Sequence, residues 1–305
     1  MPNYYDEQDL SLDERKSLTH GDFWIPEKER EVYREALEVL NAAGVEFVVT
    51  GAHAVYEHTG IYRRTGDLDL FVEPIHLTGA MRVLRDAGYL TRLEQPHWLA
   101  KAKRGEYFID LIFGMGNGLA MVDADWYRYG QEAILAATPV RVAPPEELIW
   151  HRLFISERHR QDMADIAHLL LHCGHDLDWR RLADKTGPHW PLLLSQVAIF
   201  LYVYPNARRV IPEWLIDDLV ARLREEMSRE PGPERITRGT LISRFSFAID
   251  VREWGFRDLR EEAIVETQRL PVVAEIARSG VWDERSQAVE GFLRRIGEES
   301  ATDTG

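Results

Sequence analysis

The chain has 305 residues, 45% hydrophobic and 29% charged, with a net charge of −14; this is the profile of a globular protein with a true core, long enough for one large domain or two ordinary ones. The acidic balance excludes broad, non-specific binding to nucleic acid or anionic membrane, which needs a basic face, and leaves room only for a local basic patch. A single cysteine, Cys173, excludes an internal disulfide framework, and no run approaches about 18 apolar residues, so the expectation is a cytoplasmic protein without a membrane span.

The opening MPNYYDEQDLSLDERKS is polar and acidic and has no apolar h-region, so no signal peptide is expected, and residues 1–24 read as loosely attached. A helix is predicted from Pro26 to about Ala43, because Val32, Ala36 and Leu40 recur at i+4 spacing and Gly44 supplies a stop. Val45–Thr50 is a β-branched run and reads as a buried strand. Gly51 follows at once, AHAVYEH starts a helix, and Gly60 ends it. Asp67–Glu73 is a second strand, stopped by Pro74. A helix over Leu77–Ala87 closes at Gly88. Leu99–Lys103 and Tyr107–Phe113 read as a hairpin around Arg104, Gly105 and Glu106. Thr138–Val142 is a further strand. Pro144, Pro145, Glu146 and Glu147 then mark a helix start, with acids at the positive end of the dipole. From Glu146 to about Glu299 the periodicity is helical with little strand signal, and the tail EESATDTG reads as disordered.

Three acidic residues stand out. Asp67 and Asp69 lie at i and i+2 on one strand, so their side chains share a face. Asp110 lies on a later strand, in YFIDLIFG. If that strand lies beside the first, three carboxylates converge, and their repulsion calls for a cation. Hard divalent ions with oxygen ligands, Mg²⁺ (or Mn²⁺), suit the set, and phosphate chemistry is their usual use. Gly51 at a strand–helix turn lets backbone and a phosphate approach closely, and the helix N-terminus offers free N–H groups to an anion. These parts fit in-line attack on the α-phosphate of a nucleotide with release of pyrophosphate.

The stretch TGAHAVYEHTGIYRRTGDLDLFV resembles the core of the DNA polymerase beta-type nucleotidyltransferase superfamily, most closely its minimal and abortive-infection toxin-like branches. Gly51 matches the first turn position, Gly60 the end of the small helix, Arg63 and Thr65 an Arg-x-Thr, Asp67 and Asp69 the acidic pair, and Asp110 the third carboxylate. Ala52 stands where the family has glycine or serine. APPEELIWHRLFISERHRQDMADIAHLL continues the likeness, with Arg152 at a family lysine position and Arg158, Asp162 and Asp165 at later charged positions. The resemblance covers roughly residues 30–170. It implies an α+β fold with a nucleotidyltransferase-type mixed β-sheet flanked by helices over residues 26–143; the periodicity and composition add an all-helical domain over 144–299 and a disordered tail over 300–305. The resemblance implies an NTP substrate (ATP among the candidates) and metal-binding, catalytic Asp67, Asp69 and Asp110. The nucleotide would be held by Gly51, Ala52, His53, Arg63, Thr65, Arg152 and Arg158. The acceptor stays open among a small molecule, tRNA and a protein hydroxyl. Two other readings stay open: the toxin of a toxin–antitoxin pair, which would bring an antitoxin partner, and a catalytically idle nucleotide-binding protein.

Plainer roles compete for several of these residues. Arg158, Asp162 and Asp165 at i, i+4 and i+7 would form one salt-bridged helix face. His168, His172 and Cys173 have a metal-like spacing but fit a helix end closed by Gly174, and His175-Asp176 fits the same place. His53 at the phosphate turn suits packing or capping. Tyr107 and Phe108 suit strand packing. Trp150, Trp179 and Trp190 suit a helical core. Arg235, Arg238 and Arg244 suit a solvated face.

Overall fold

The computed structural model describes residues 25–61, 65–157 and 160–302. Residues 1–24 and the predicted ligands Arg63 and Arg158 lie outside the described residues. The chain divides into two compact units: residues up to Ala143 together with those from Ala263 onward, and Pro144–Glu262.

The first unit is built on an eight-stranded mixed sheet. Helix α1 (Glu27–Ala42) buries Tyr33, Ala36, Leu37 and Leu40 as one stripe, the i, i+3, i+4, i+7 pattern of a helix lying on a core. Strand β1 (Phe47–Val49) is short and buried throughout. Helix α2 (Gly51–Thr59) follows directly and ends on Gly60 in the left-handed conformation, whose N–H donates to Tyr56 O at 2.7 Å. Strand β2 (Asp67–Val72) and helix α3 (Pro74–Asp86) come next, with Pro74 in the first turn of α3. Strands β3 (Leu90–Gln95), β4 (Leu99–Arg104) and β5 (Tyr107–Ile112) form a meander. After the short helix α4 (Ala124–Arg128), β6 (Gln131–Leu135) and β7 (Thr138–Val142) form a hairpin.

An eighth strand, β8 (Glu284–Arg285), pairs parallel to β3, giving the order β8-β3-β4-β5-β2-β1-β7-β6. The strand is short but well tied. Asp283 Oδ2 accepts the Thr91 N–H at 2.8 Å, and the Ser286 N–H donates to Leu93 O at 3.1 Å. The chain after residue 262, expected to continue the helical domain, therefore returns to the sheet. Its last helix, Gln287–Thr302, runs into the segment expected to be disordered.

β2 sits between antiparallel β1 and parallel β5. Along β2, Leu68 and Leu70 are fully buried while Asp67 and Asp69 are half-buried. The strand thus gives one face to the core and the acidic face to the site.

The second unit is mainly helical: α5 (Pro145–Arg152), α6 (Met163–Cys173), α7 (Trp179–Thr186), α8 (Trp190–Val203) and α9 (Glu213–Ser228), followed by the short helices Gly239–Ile242 and Ala248–Arg252. Two-residue ladders add Ser156–Glu157 with Arg160–Gln161, and Ile236–Thr237 with Arg257–Asp258. Glu146 and Glu147, read as dipole partners, are buried in a charge network. Arg181 bonds both carboxylates, and Lys185 Nζ lies 3.2 Å from Glu147 Oε1. Among the described residues no helix is long and apolar enough to cross a membrane.

Candidate active site

Parallel pairing of β2 with β5 sets Asp69 directly opposite Asp110 and Asp67 opposite Phe108. Each of the three aspartates has a carboxylate oxygen within 4.8 Å of the other two. This all-oxygen, tripodal donor set fits a hard divalent cation. Thr65 Oγ1 donates to Asp67 Oδ1 at 2.5 Å and fixes that carboxylate from the side. Thr65 and Gly66 also line an open cleft of about 470 Å³ with Pro26, Glu29, Glu106 and Tyr107, within the size range of small-molecule sites.

Gly51 begins α2 with φ +66°, and a Cβ there would lie 2.0 Å from Asp69 Oδ2. The glycine was expected to make room for a phosphate. In the structure it makes room for Asp69, which therefore packs against the start of α2. Ala52 is buried, and so is His53, whose ring meets Tyr33 edge-on with centroids 6.0 Å apart. Burial pulls the His53 pKa down to about 4, against the opposing pull of Asp67. His53 thus packs within the fold against Tyr33, where burial disfavours its charged form. Tyr33 is held above its ordinary pKa, first by burial, then by its bond to Glu29, and further by Asp67 and Asp69.

Sequence reasoning missed Lys101. It lies on β4 opposite Asp110, and its Nζ donates to both Asp110 oxygens, at 2.8 and 2.7 Å. The signal was present in the hairpin: counting outward from the Arg104–Tyr107 pair leads through 103–108 and 102–109 to Lys101–Asp110. Burial raises the Asp110 pKa; Lys101 works against that shift, while Asp67 and Glu94 add to it.

A family model described as "Nucleotidyl transferase of unknown function (DUF2204)" matches residues 29–183, just over half of the chain and all three aspartates. The chain belongs to this family. This nucleotidyl transferase also has solved structural neighbours. ANT(2″)-Ia in complex with adenylyl-2″-tobramycin is 17% identical, with 64% of this chain and 99% of that chain covered and a TM-score of 0.35. The lincosamide antibiotic adenylyltransferase LnuA, lincomycin-bound, is 21% identical, with 48% and 96% covered and a TM-score of 0.35. JHP933 from Helicobacter pylori is 14% identical, with 67% and 96% covered and a TM-score of 0.32. Curated protein sequences gave no match.

The remaining predicted residues of the nucleotidyl transferase lie in its helical unit. Arg152 is 3% exposed, and its Nε lies 3.2 Å from Asp165 Oδ2 and 3.8 Å from Asp162 Oδ2. Its guanidinium thus joins a buried ion cluster, whereas the sequence pointed it at the nucleotide's phosphates. Asp162 precedes α6 rather than lying within it, so Asp162 and Asp165 do not share the predicted continuous helix face. Both are buried, where a salt-bridged surface was the plainer expectation. His168 titrates below its ordinary range because of burial, opposed by Asp165. Cys173 is the last residue of α6. Among the described residues the aspartate triad is the group with metal-ligating geometry, and the histidines near Cys173 form none. Trp150 and Trp179 are buried. Arg235 stacks on Phe256 and Arg244 on Phe245, each at 4.6 Å.

Proposed function

We propose that this nucleotidyl transferase moves a nucleoside monophosphate from an NTP to an acceptor hydroxyl, using divalent cations held by Asp67, Asp69 and Asp110. The observation that carries this is the convergence of three carboxylates on two adjacent parallel strands. Mg²⁺ or Mn²⁺ bound there would supply charge neutralisation at the phosphates and activation of the acceptor oxygen. Asp67 and Asp69 would each serve both cations, and Asp110 would complete the acceptor-side one. Thr65 fixes Asp67, and Gly51 lets Asp69 sit against α2. The positive end of the α2 dipole, at Gly51, suits the β- and γ-phosphates. In the reaction the acceptor oxygen bonds to the α-phosphorus, the bond to the bridging oxygen breaks, and pyrophosphate leaves with the electron pair as the acceptor's proton is released.

The direct test incubates the protein with each α-labelled NTP, Mg²⁺ or Mn²⁺, and acceptors that include aminated and hydroxylated small molecules, tRNA and the protein itself. Label transfer that disappears in Asp69→Ala supports the reading. No transfer with any NTP, or transfer unchanged in the variant, removes it and leaves the idle-binder alternative. Label on tRNA or protein, with growth arrest on expression relieved by a neighbouring gene product, would assign the toxin role. Binding is read separately by thermal shift: saturating NTP and Mg²⁺ should stabilise the fold by roughly 2–3 kcal/mol, an effect lost in Asp69→Ala.

A further inference from the structure

We propose that Lys101 is a positioning residue that reserves Asp110 for the acceptor-side cation: its ammonium holds the carboxylate while no cation is bound and gives it up when one arrives. The inference rests on the nucleotidyl-transfer reading above. Three observations carry it. Nζ lies 2.7 and 2.8 Å from the two Asp110 oxygens, so one ammonium engages both of the atoms Asp110 could offer a metal. The pair is unequal in exposure, with the Lys101 side chain 30% exposed and that of Asp110 11%. Lys101 can therefore swing toward water while Asp110 stays in place.

The ammonium bound to Asp110 also lies beside an aromatic ring. Phe108 lies two residues before Asp110 on the same face of β5, and Lys101 Nζ is 5.9 Å from its ring centroid, a distance at which a cation is attracted to a ring face. Lys103 already lies 5.1 Å from the same ring. The charges around Asp110 explain why such a holder is needed. Asp69 is its register partner on β2, Asp67 shares the triad, and Glu94 adds a further negative influence from β3. Like charges this close disfavour one another's ionised forms unless a cation intervenes. A cross-strand pair that merely stabilised the sheet would make no demand on metal affinity. A holder competes with the metal.

The competition can be measured without turnover, by counting and titrating Mn²⁺ on the full chain with electron paramagnetic resonance. Asp110→Asn should remove one Mn²⁺ site or weaken it severely. Lys101→Met should tighten that same site by about three- to fivefold, the scale of losing one partly exposed charge competitor. In the Asp110→Asn background, Lys101→Met should change nothing. Lys101→Arg, which keeps a cation, should remain at or below wild-type Mn²⁺ affinity, and it serves if Lys101→Met folds poorly. Unchanged or weaker Mn²⁺ binding in Lys101→Met, with the Asp110-dependent site still counted, overturns the proposal and leaves the metal reading intact. Mn²⁺ binding unaffected by Asp110→Asn overturns both.

Discussion

Gly51 and Asp69 compete for the same space: a Cβ on residue 51 would lie 2.0 Å from Asp69 Oδ2 and 2.9 Å from Asp69 Cγ. The backbone of Gly51 also sits at φ +66°, where L side chains are strained. Gly51→Ala therefore has to expel the carboxylate, distort the start of α2, or both. A shift of about 1 Å at a reacting group costs roughly 100-fold in rate, and strain of this kind costs ~1–3 kcal/mol. The variant should fold with that reduced stability by denaturant titration and lose most of its Mn²⁺ affinity and transfer. Wild-type metal binding in Gly51→Ala would show that Asp69 is not held in place by the glycine.

The triad was legible because it depends on two short-range rules. Alternation along β2 puts Asp67 and Asp69 on one face, and the Arg104–Glu106 turn makes β4–β5 a hairpin. What the sequence did not contain was partner choice across distance. β8 is two residues long and is placed by Asp283 and Ser286 meeting Thr91 and Leu93, some 190 residues earlier. β3 reads LTRLEQ, whose charges blur its alternation. Arg152 looked like a phosphate ligand because residue type does not reveal what a side chain is buried against. Arg181 likewise comes from a different helix to neutralise Glu146 and Glu147.

His53 gives the apo protein an acid sensitivity whose sign can be worked out. Its folded pKa, about 4, lies below the ordinary 6.5 because burial disfavours the imidazolium. The unfolded chain therefore binds the proton more readily, and stability falls as pH drops from about 6.5 toward 4. A shift of this size corresponds to roughly 2–3 kcal/mol across that window. His53→Phe, which keeps an aromatic edge against Tyr33, should flatten the profile. The check is urea denaturation of both proteins between pH 4 and 7. Parallel slopes would mean that other groups carry the acid response.

Arg152 is expected to matter for stability before it matters for nucleotide binding. Removing it takes the guanidinium away from two buried carboxylates in the helical unit, Asp162 at 2% and Asp165 at 8% exposure. Breaking a buried ion pair from one side costs about 3–5 kcal/mol. Arg152→Met should show a loss of that order by chemical denaturation, and adding Asp165→Asn should recover part of it. The NTP concentration at half-maximal rate should move little at temperatures where the variant is folded. Unchanged stability with a large rise in that concentration would instead restore the phosphate role suggested by the sequence.

The β6–β7 hairpin turns on Ala136 and Ala137, at φ 49° and 62°. Two-residue turns with both centres in the left-handed region favour Asn-Gly or Asp-Gly, which is why this hairpin left no signal in the sequence. Ala136 is buried and has to remain small and apolar, whereas Ala137 is exposed. Left-handed backbone costs an L residue about 1–2 kcal/mol, and a new glycine returns ~0.4–1 kcal/mol of that through the added freedom of the unfolded chain. Ala137→Gly should therefore raise stability by roughly 0.5–1 kcal/mol, the difference between those two effects. Ala137→Val, β-branched and poorly suited to positive φ, should lower it by a larger amount. Thermal and urea unfolding of the three proteins decide the matter: glycine less stable than alanine would mean that this turn is not left-handed in solution.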